Sequence, residues 1–79
     1  MQNKQYIFLD LIKKNEGENY LILNGFNKVD IEYIDNFSKG ILYEGDIDDF
    51  KNGEFVLKHF SLTELGEDYL RRCEELAKM

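Results

Sequence analysis

Proline is absent from this 79-residue chain, and cysteine and histidine occur once each. A single cysteine, Cys73, cannot close an intrachain disulfide, which excludes a disulfide-stapled secreted scaffold. No apolar run approaches the roughly 20 residues needed to cross a bilayer, so no membrane association is expected. Met1 to Gln5 are polar without a basic start, and no small-residue cleavage site follows, so no signal peptide is expected and the cytoplasm is the expected compartment. With His59 alone, an ordinary soft-ligand metal site lacks its second imidazole, and the histidine is expected as a packed or surface residue. Asp46, Asp48 and Asp49 lack the twelve-position spacing and terminal glutamate of a calcium loop. Glycine-rich phosphate-binding signatures are missing too. No serine, lysine or carboxylate pair has the context of a catalytic group. The expectation is a non-enzyme without cofactor or metal.

What the chain has is acid. Sixteen Asp and Glu against ten Lys and Arg give a net charge of −6. Duplex DNA is held largely by lysines and arginines that release phosphate counterions, so a DNA-binding reading requires a local basic stripe. The apolar fraction of 43%, with 14% aromatic, belongs to a globular domain and not to a disordered tail. A chain of this size buries about 60–65% of its unfolded surface, enough for one core. With no linker, repeat or low-complexity tract, one domain over residues 1–79 is expected.

Asn3 to Lys14 shows a helical pattern, with Ile7, Phe8, Leu11 and Ile12 in one arc, Tyr6 and Leu9 at its edges, and Asn3 as the N-cap. Tyr20 to Leu23 is apolar and short. It reads as a buried strand or as one helical turn, with a short strand or an irregular segment preferred. A second helix is predicted over 28–39, capped by Asn27, with Asp30 favoured by the dipole in its first turn. Its inner stripe is expected to be Ile31, Ile34 and Phe37, with Val29 and Tyr33 beside it, and Gly40 should end it in the left-handed conformation. Asn52-Gly53 signals a two-residue type I′ hairpin turn. That turn would set Lys51 against Glu54, Phe50 against Phe55, Asp48 against Leu57 and Ile47 against Lys58. Phe50, Phe55, Leu57 and His59 would then share one face, with Val56, Lys58 and Phe60 on the other. Gly45 and its acidic neighbours should interrupt the incoming arm from Ile41, leaving it bulged or frayed. A last helix is predicted over 62–78, with Ser61 and Thr63 competing for its cap. Its stripe should be Leu62, Leu65, Tyr69, Cys73 and Leu76, widened by Leu70 and Ala77. Cys73 in that stripe reads as core and not as a nucleophile.

The passage from Phe55 to Leu70 resembles the junction between wing and final helix of winged-helix proteins. Leu62, Thr63, Gly66, Tyr69 and Leu70 occupy the Leu-Thr, Gly and aromatic-Leu positions of that junction. Physical reasons accompany the pattern: Thr63 can cap, Gly66 allows close approach to a neighbouring backbone, and Tyr69 and Leu70 anchor the helix. In size and layout the chain is most similar to the small prophage-borne YjcQ-like group. The resemblance implies an α+β, winged-helix-like domain of three helices, with a β-hairpin wing before the C-terminal helix. It departs from the family at residues 18–26, which leave little room for the second helix of a helix-turn-helix. Either that helix is reduced, or the fold imitates only the family's second half.

By the resemblance, the helix over 28–39 would take the recognition position in the major groove. Its own charges sum to −1, and those of the wing from Glu44 to Lys58 sum to −3. Both surfaces are the wrong sign for phosphate. The leading expectation is therefore a small accessory or regulatory protein that binds a protein partner. Glu44, Asp46, Asp48 and Asp49 are the candidate contacts for a basic partner, against the alternative of a merely solvated acidic surface. The alternative function is a DNA-binding transcriptional regulator, with Lys28, Asn36, Lys39, Lys51 and Asn52 as the contacts. A further alternative is an acidic DNA mimic that inhibits a basic target. Pairing into a homodimer through the first and last helices is also an expectation.

Overall fold

The computed structural model describes residues 4–49 and 54–77. Within them the order is α1 (Lys4–Lys14), β1 (Tyr20–Leu23), α2 (Lys28–Ser38), β2 (Tyr43–Asp49), β3 (Phe55–Leu62) and α3 (Glu64–Ala77). The three strands form one antiparallel sheet in the order β1-β3-β2. The expected α+β class, with three helices and a strand pair ahead of the last one, is the one observed, a layout compatible with a small winged-helix-like domain. Residues 20–23 are the strand β1, so no second helix lies between α1 and α2. No helix among the described residues is long and apolar enough to cross a membrane.

The core forms where the inner sheet face meets α1, α2 and α3. Phe8, Leu9 and Ile12 of α1 have no exposed surface, and Phe8 packs edge-on against Tyr43 and Phe26, with ring centroids 4.8 and 5.9 Å away. Leu23, Ile31, Ile34, Phe55, Leu57 and Leu70 complete it.

Local chemistry sets the helix ends. Asn27 forms the expected cap: its side-chain oxygen accepts from the Asp30 N–H at 2.8 Å, and the Asp30 carboxylate accepts from the Asn27 N–H at 3.1 Å. Gly40, past the end of α2, has a φ of 80°, the left-handed geometry expected of it. At the start of α3 the cap goes to Thr63, whose hydroxyl accepts from Gly66 N–H at 3.0 Å and donates to the Ile41 carbonyl at 2.6 Å. Ser61 and Leu62 belong instead to β3, so α3 starts two residues later than predicted. Gly66 has the close approach expected of it: a Cβ there would stand 1.9 Å from the Leu42 carbonyl oxygen. The turn between α2 and β2 is thereby clamped to the first turn of α3. Asn3, expected to cap α1, lies outside the described residues.

The hairpin register differs from the expected one by a single residue. Asp49 pairs with Phe55, Asp48 with Val56, Ile47 with Leu57 and Asp46 with Lys58. The expected register would have put Asp48 beside Leu57 on the core face. A slip of one exchanges the two faces of a strand, and burial of Ile47 in place of a carboxylate decides between them. The turn at Asn52-Gly53, and the partners foreseen for Phe50 and Lys51, lie outside the described residues.

The bulge falls on β3. Glu44 pairs with Ser61 and Asp46 with Lys58, which leaves His59 and Phe60 opposite Gly45 alone. His59 takes the strain, with a φ of 54°, and is exposed. The extra residue reverses the alternation, so Phe60 and Leu62 return to the core side that Phe55 and Leu57 occupy. His59 and Phe60 thus exchange the faces predicted for them.

Two helical stripes are rotated from prediction. In α2 the buried residues are Ile31, Ile34 and Ser38, while Phe37 faces solvent. In α3 they are Gly66 and Leu70, with Tyr69 and Cys73 half-buried and Leu65 and Leu76 exposed. The clamp at Gly66 fixes the rotation of α3. Ser38 fixes that of α2: its hydroxyl accepts from Gln5 Nε2 at 2.7 Å, and its carbonyl accepts from the N–H groups of Ile41 and Leu42.

Candidate functional site

Helix α2 and the hairpin enclose a groove of about 430 Å³. Ile31, Ile47 and Phe55 form its floor. The α2 wall supplies Lys28, Glu32, Asp35 and Lys39, and the hairpin wall supplies Asp48 and Asp49. The helix delivers its four charges because i, i+4, i+7 and i+11 share one face. Four acidic residues from two elements thus line one apolar-floored groove, with a lysine near each end of the α2 wall. Among the described residues, Glu32, Asp35 and Asp49 make no ion pair, and Asp48 makes one, to Lys58 at 3.6 Å.

The candidate contacts on the hairpin separate along the strand. Glu44, Asp46 and Asp48 alternate onto the outer face of the sheet, beside Ser61, Lys58 and Val56 in the register. Asp49 pairs with Phe55 on the inner side. All four are exposed, and Asp48 and Asp49 are the two that line the groove, Asp48 from the strand that turns its side chain to the outer face. The outer sheet face also carries Tyr20 and Ile22 of β1, opposite Lys58 and Val56. Charged side chains along β2 have a structural use as well, since they blunt the edge strand against pairing with another chain.

The candidate DNA contacts do not converge. Lys28 and Lys39 sit at opposite ends of α2, about 16 Å apart along the helix axis at 1.5 Å per residue. Asn36 is exposed on another side of the helix, and Lys51 and Asn52 lie outside the described residues. Arg71 and Arg72 are on α3, both ion-paired to Asp68. No described element gathers these cations into one stripe.

Sequence reasoning missed Glu32 and Asp35, although the helical period of 28, 32, 35 and 39 already aligned them. It could not have paired them with Asp48 and Asp49, because that proximity is tertiary. It also missed the exposure of Val29, Tyr33 and Phe37, which form an apolar stripe on the solvent side of α2.

One core group is electrostatically unusual. The Tyr43 hydroxyl is buried and has no hydrogen-bond partner among the described residues. Burial, and then the carboxylates of Asp35 and Glu44, hold its pKa well above the ordinary tyrosine value. The group belongs to the core. Among the described residues no three His, Cys, Asp or Glu side chains cluster in a way that could hold a metal ion.

No family model, no curated protein and no solved structure matches the chain.

Proposed function

We propose that this chain is a non-enzymatic accessory or regulatory protein of the cytoplasm that binds a protein partner through a basic segment seated between α2 and the hairpin. The observation that carries this reading is that Glu32, Asp35 and Asp49, with Asp48 beside them on the strand, line one groove with an apolar floor. Three of the four have no cation of their own among the described residues, so a lysine or arginine from outside would find charge without displacing an internal ion pair. Such complementarity steers association and selects the sign of the partner, while the apolar floor supplies the non-directional term.

The winged-helix resemblance is retained in this proposal as a likeness of scaffold, with the acidic groove in place of a phosphate-binding surface. A DNA-reading role would require the recognition face to carry positive charge, and α2 carries more carboxylates than lysines. Calorimetric titration of an arginine-rich peptide and of a short duplex, each across a salt series, tests the proposal. The expected result is peptide binding that weakens with salt and is lost on Asp48→Asn with Asp49→Asn, with no duplex binding. Salt-dependent binding of the duplex without the peptide would transfer the function to DNA.

A further inference from the structure

We infer that the open edge of β1 is a self-association surface, along which two copies of this chain join antiparallel into one six-stranded sheet. Pairing there is independent of the groove, because β1 and β2 lie on opposite sides of β3 and the groove is on the β2 side. With β3 in the middle, β1 and β2 each have one unpaired side among the described residues. An edge strand turns the N–H and C=O of alternate residues outward, and those groups are a template for another strand. The two edges are protected unequally. Strand β2 carries Glu44, Asp46, Asp48 and Asp49, all exposed. Two β2 edges brought together would oppose carboxylate to carboxylate. Strand β1 reads Tyr-Leu-Ile-Leu, with no charge and no break in its register to β3. Tyr20 and Ile22, 59% and 42% exposed, stand on the outer face, with Val56 buried beside Ile22. Nothing in this strand opposes the approach of a second one.

Symmetry and charge choose the occupant. An antiparallel pair of identical strands has its two-fold axis at one residue and that residue's equivalent. With the axis at Leu21, Tyr20 stands opposite Ile22 of the other copy, twice, on the outer face. Aromatic and β-branched residues make a favourable cross-strand pair, and both of these are otherwise left to solvent. The two ends of β1 also differ in charge. Glu18, just before the strand, is exposed and makes no ion pair among the described residues. Past the other end, Lys4 Nζ donates to the Gly25 carbonyl at 2.7 Å and lies 3.9 Å from Asp30. Antiparallel pairing brings the Glu18 end of each copy to the Lys4 end of the other, and it keeps the two Glu18 side chains at opposite ends. An unrelated strand would have to supply both complements, which a second copy supplies by symmetry. The assembly also closes at two, since only the acidic β2 edges remain outside. Four residues on each side make a contact smaller than a tight dimer needs, so association near about 0.1 mM is expected.

Sedimentation equilibrium of the intact chain from about 10 µM to about 1 mM tests the inference. A monomer–dimer equilibrium with nothing larger is expected, and amide exchange within β1 should slow as concentration rises. Tyr20→Lys with Ile22→Lys sets lysine opposite lysine across the two-fold axis. That variant should stay monomeric over the whole range, with thermal melting close to the parent's because both side chains are exposed. Glu18→Lys leaves the strand itself untouched and should weaken the dimer at least about threefold. A parent chain still monomeric at about 1 mM would overturn the inference. So would a dimer that survives the double lysine variant, or one that Glu18→Lys strengthens. Oligomers that grow beyond two copies would overturn it as well, because a closed β1 pair leaves no edge for them.

Discussion

Helices α1 and α2 are both eleven residues long, and the fold uses them differently. Helix α1 buries Phe8, Leu9 and Ile12 without residual exposure. Its cations are engaged: Lys14 with Asp10 at 2.8 Å, Lys13 with Glu67 at 2.8 Å, and Lys4 with the Gly25 carbonyl at 2.7 Å. The hydrogen bonds that Lys13 donates to Glu67 and Lys14 to Asp10 raise the pKa values of the two lysines. Helix α2 buries Ile31, Ile34 and Ser38, shows its aromatic pair to solvent, and leaves Glu32 and Asp35 without an ion pair among the described residues. Equal length therefore does not make equal roles: α1 carries three lysines and one carboxylate, α2 one lysine and three carboxylates. The first helix closes the core, and the second helix meets it with one face while offering two others to the outside.

That contrast can be broken at either helix. The largest loss is expected at Phe8→Ala, which removes a ring from the centre of the core at a cost of about 3–5 kcal/mol. Against a total stability of about 4–12 kcal/mol for a chain of this length, much of the protein should be unfolded, as chemical denaturation would show. Next comes Gly66→Ala. Its methyl group would collide with the Leu42 carbonyl 1.9 Å away, so the clamp between α3 and the α2–β2 turn must open. A loss of about 2–4 kcal/mol is expected, measurable by denaturation, with α2 no longer held in register.

Tyr43→Phe should act in the opposite direction. It removes a buried hydroxyl without a partner among the described residues, and a gain of about 1 kcal/mol is expected. Because the folded state raises the pKa of this tyrosine, its contribution is fully present below the unfolded value of about 10 and is lost as pH rises beyond it. Denaturation from neutral to strongly alkaline pH should show the parent losing stability above about pH 10 faster than Tyr43→Phe. The smallest effect belongs to Phe37→Ala, which should change stability by no more than about 0.5 kcal/mol although it deletes the same ring as Phe8→Ala. A cost of several kcal/mol at Phe37 would mean that α2 is a core helix like α1.

Much of the fold was legible where one short-range interaction decides the outcome. The Asn27 cap, the left-handed Gly40 and the two-stranded run ahead of α3 each follow from residues close in the chain, whereas the close approach at Gly66 was expected alongside the winged-helix resemblance and its partner, Leu42, is distant in sequence. Tyr20 to Leu23, where a short strand or an irregular segment was preferred, is a strand for a less local reason, the pairing of β1 with β3. What escaped was phase. The hairpin register depends on whether Ile47 or Asp48 meets Leu57, and an Asn-Gly pair cannot see that choice. The faces of His59 and Phe60 depend on one extra residue in β3. The rotations of α2 and α3 depend on Ser38 and Gly66, neither of which an apolar count includes. The candidate site was legible by half: Asp48 and Asp49 were foreseen as contacts, while Glu32 and Asp35 join them only through the packing of α2 beside the hairpin.

The most direct test is an amide-resolved NMR titration of the intact chain with an arginine-rich peptide. The account predicts shifts on both walls of the groove at once, at Glu32 and Asp35 of α2 and at Asp48 and Asp49 of β2, fading as salt is raised. Shifts confined to the outer sheet face at Glu44 and Asp46, or scattered over every exposed carboxylate, would contradict it.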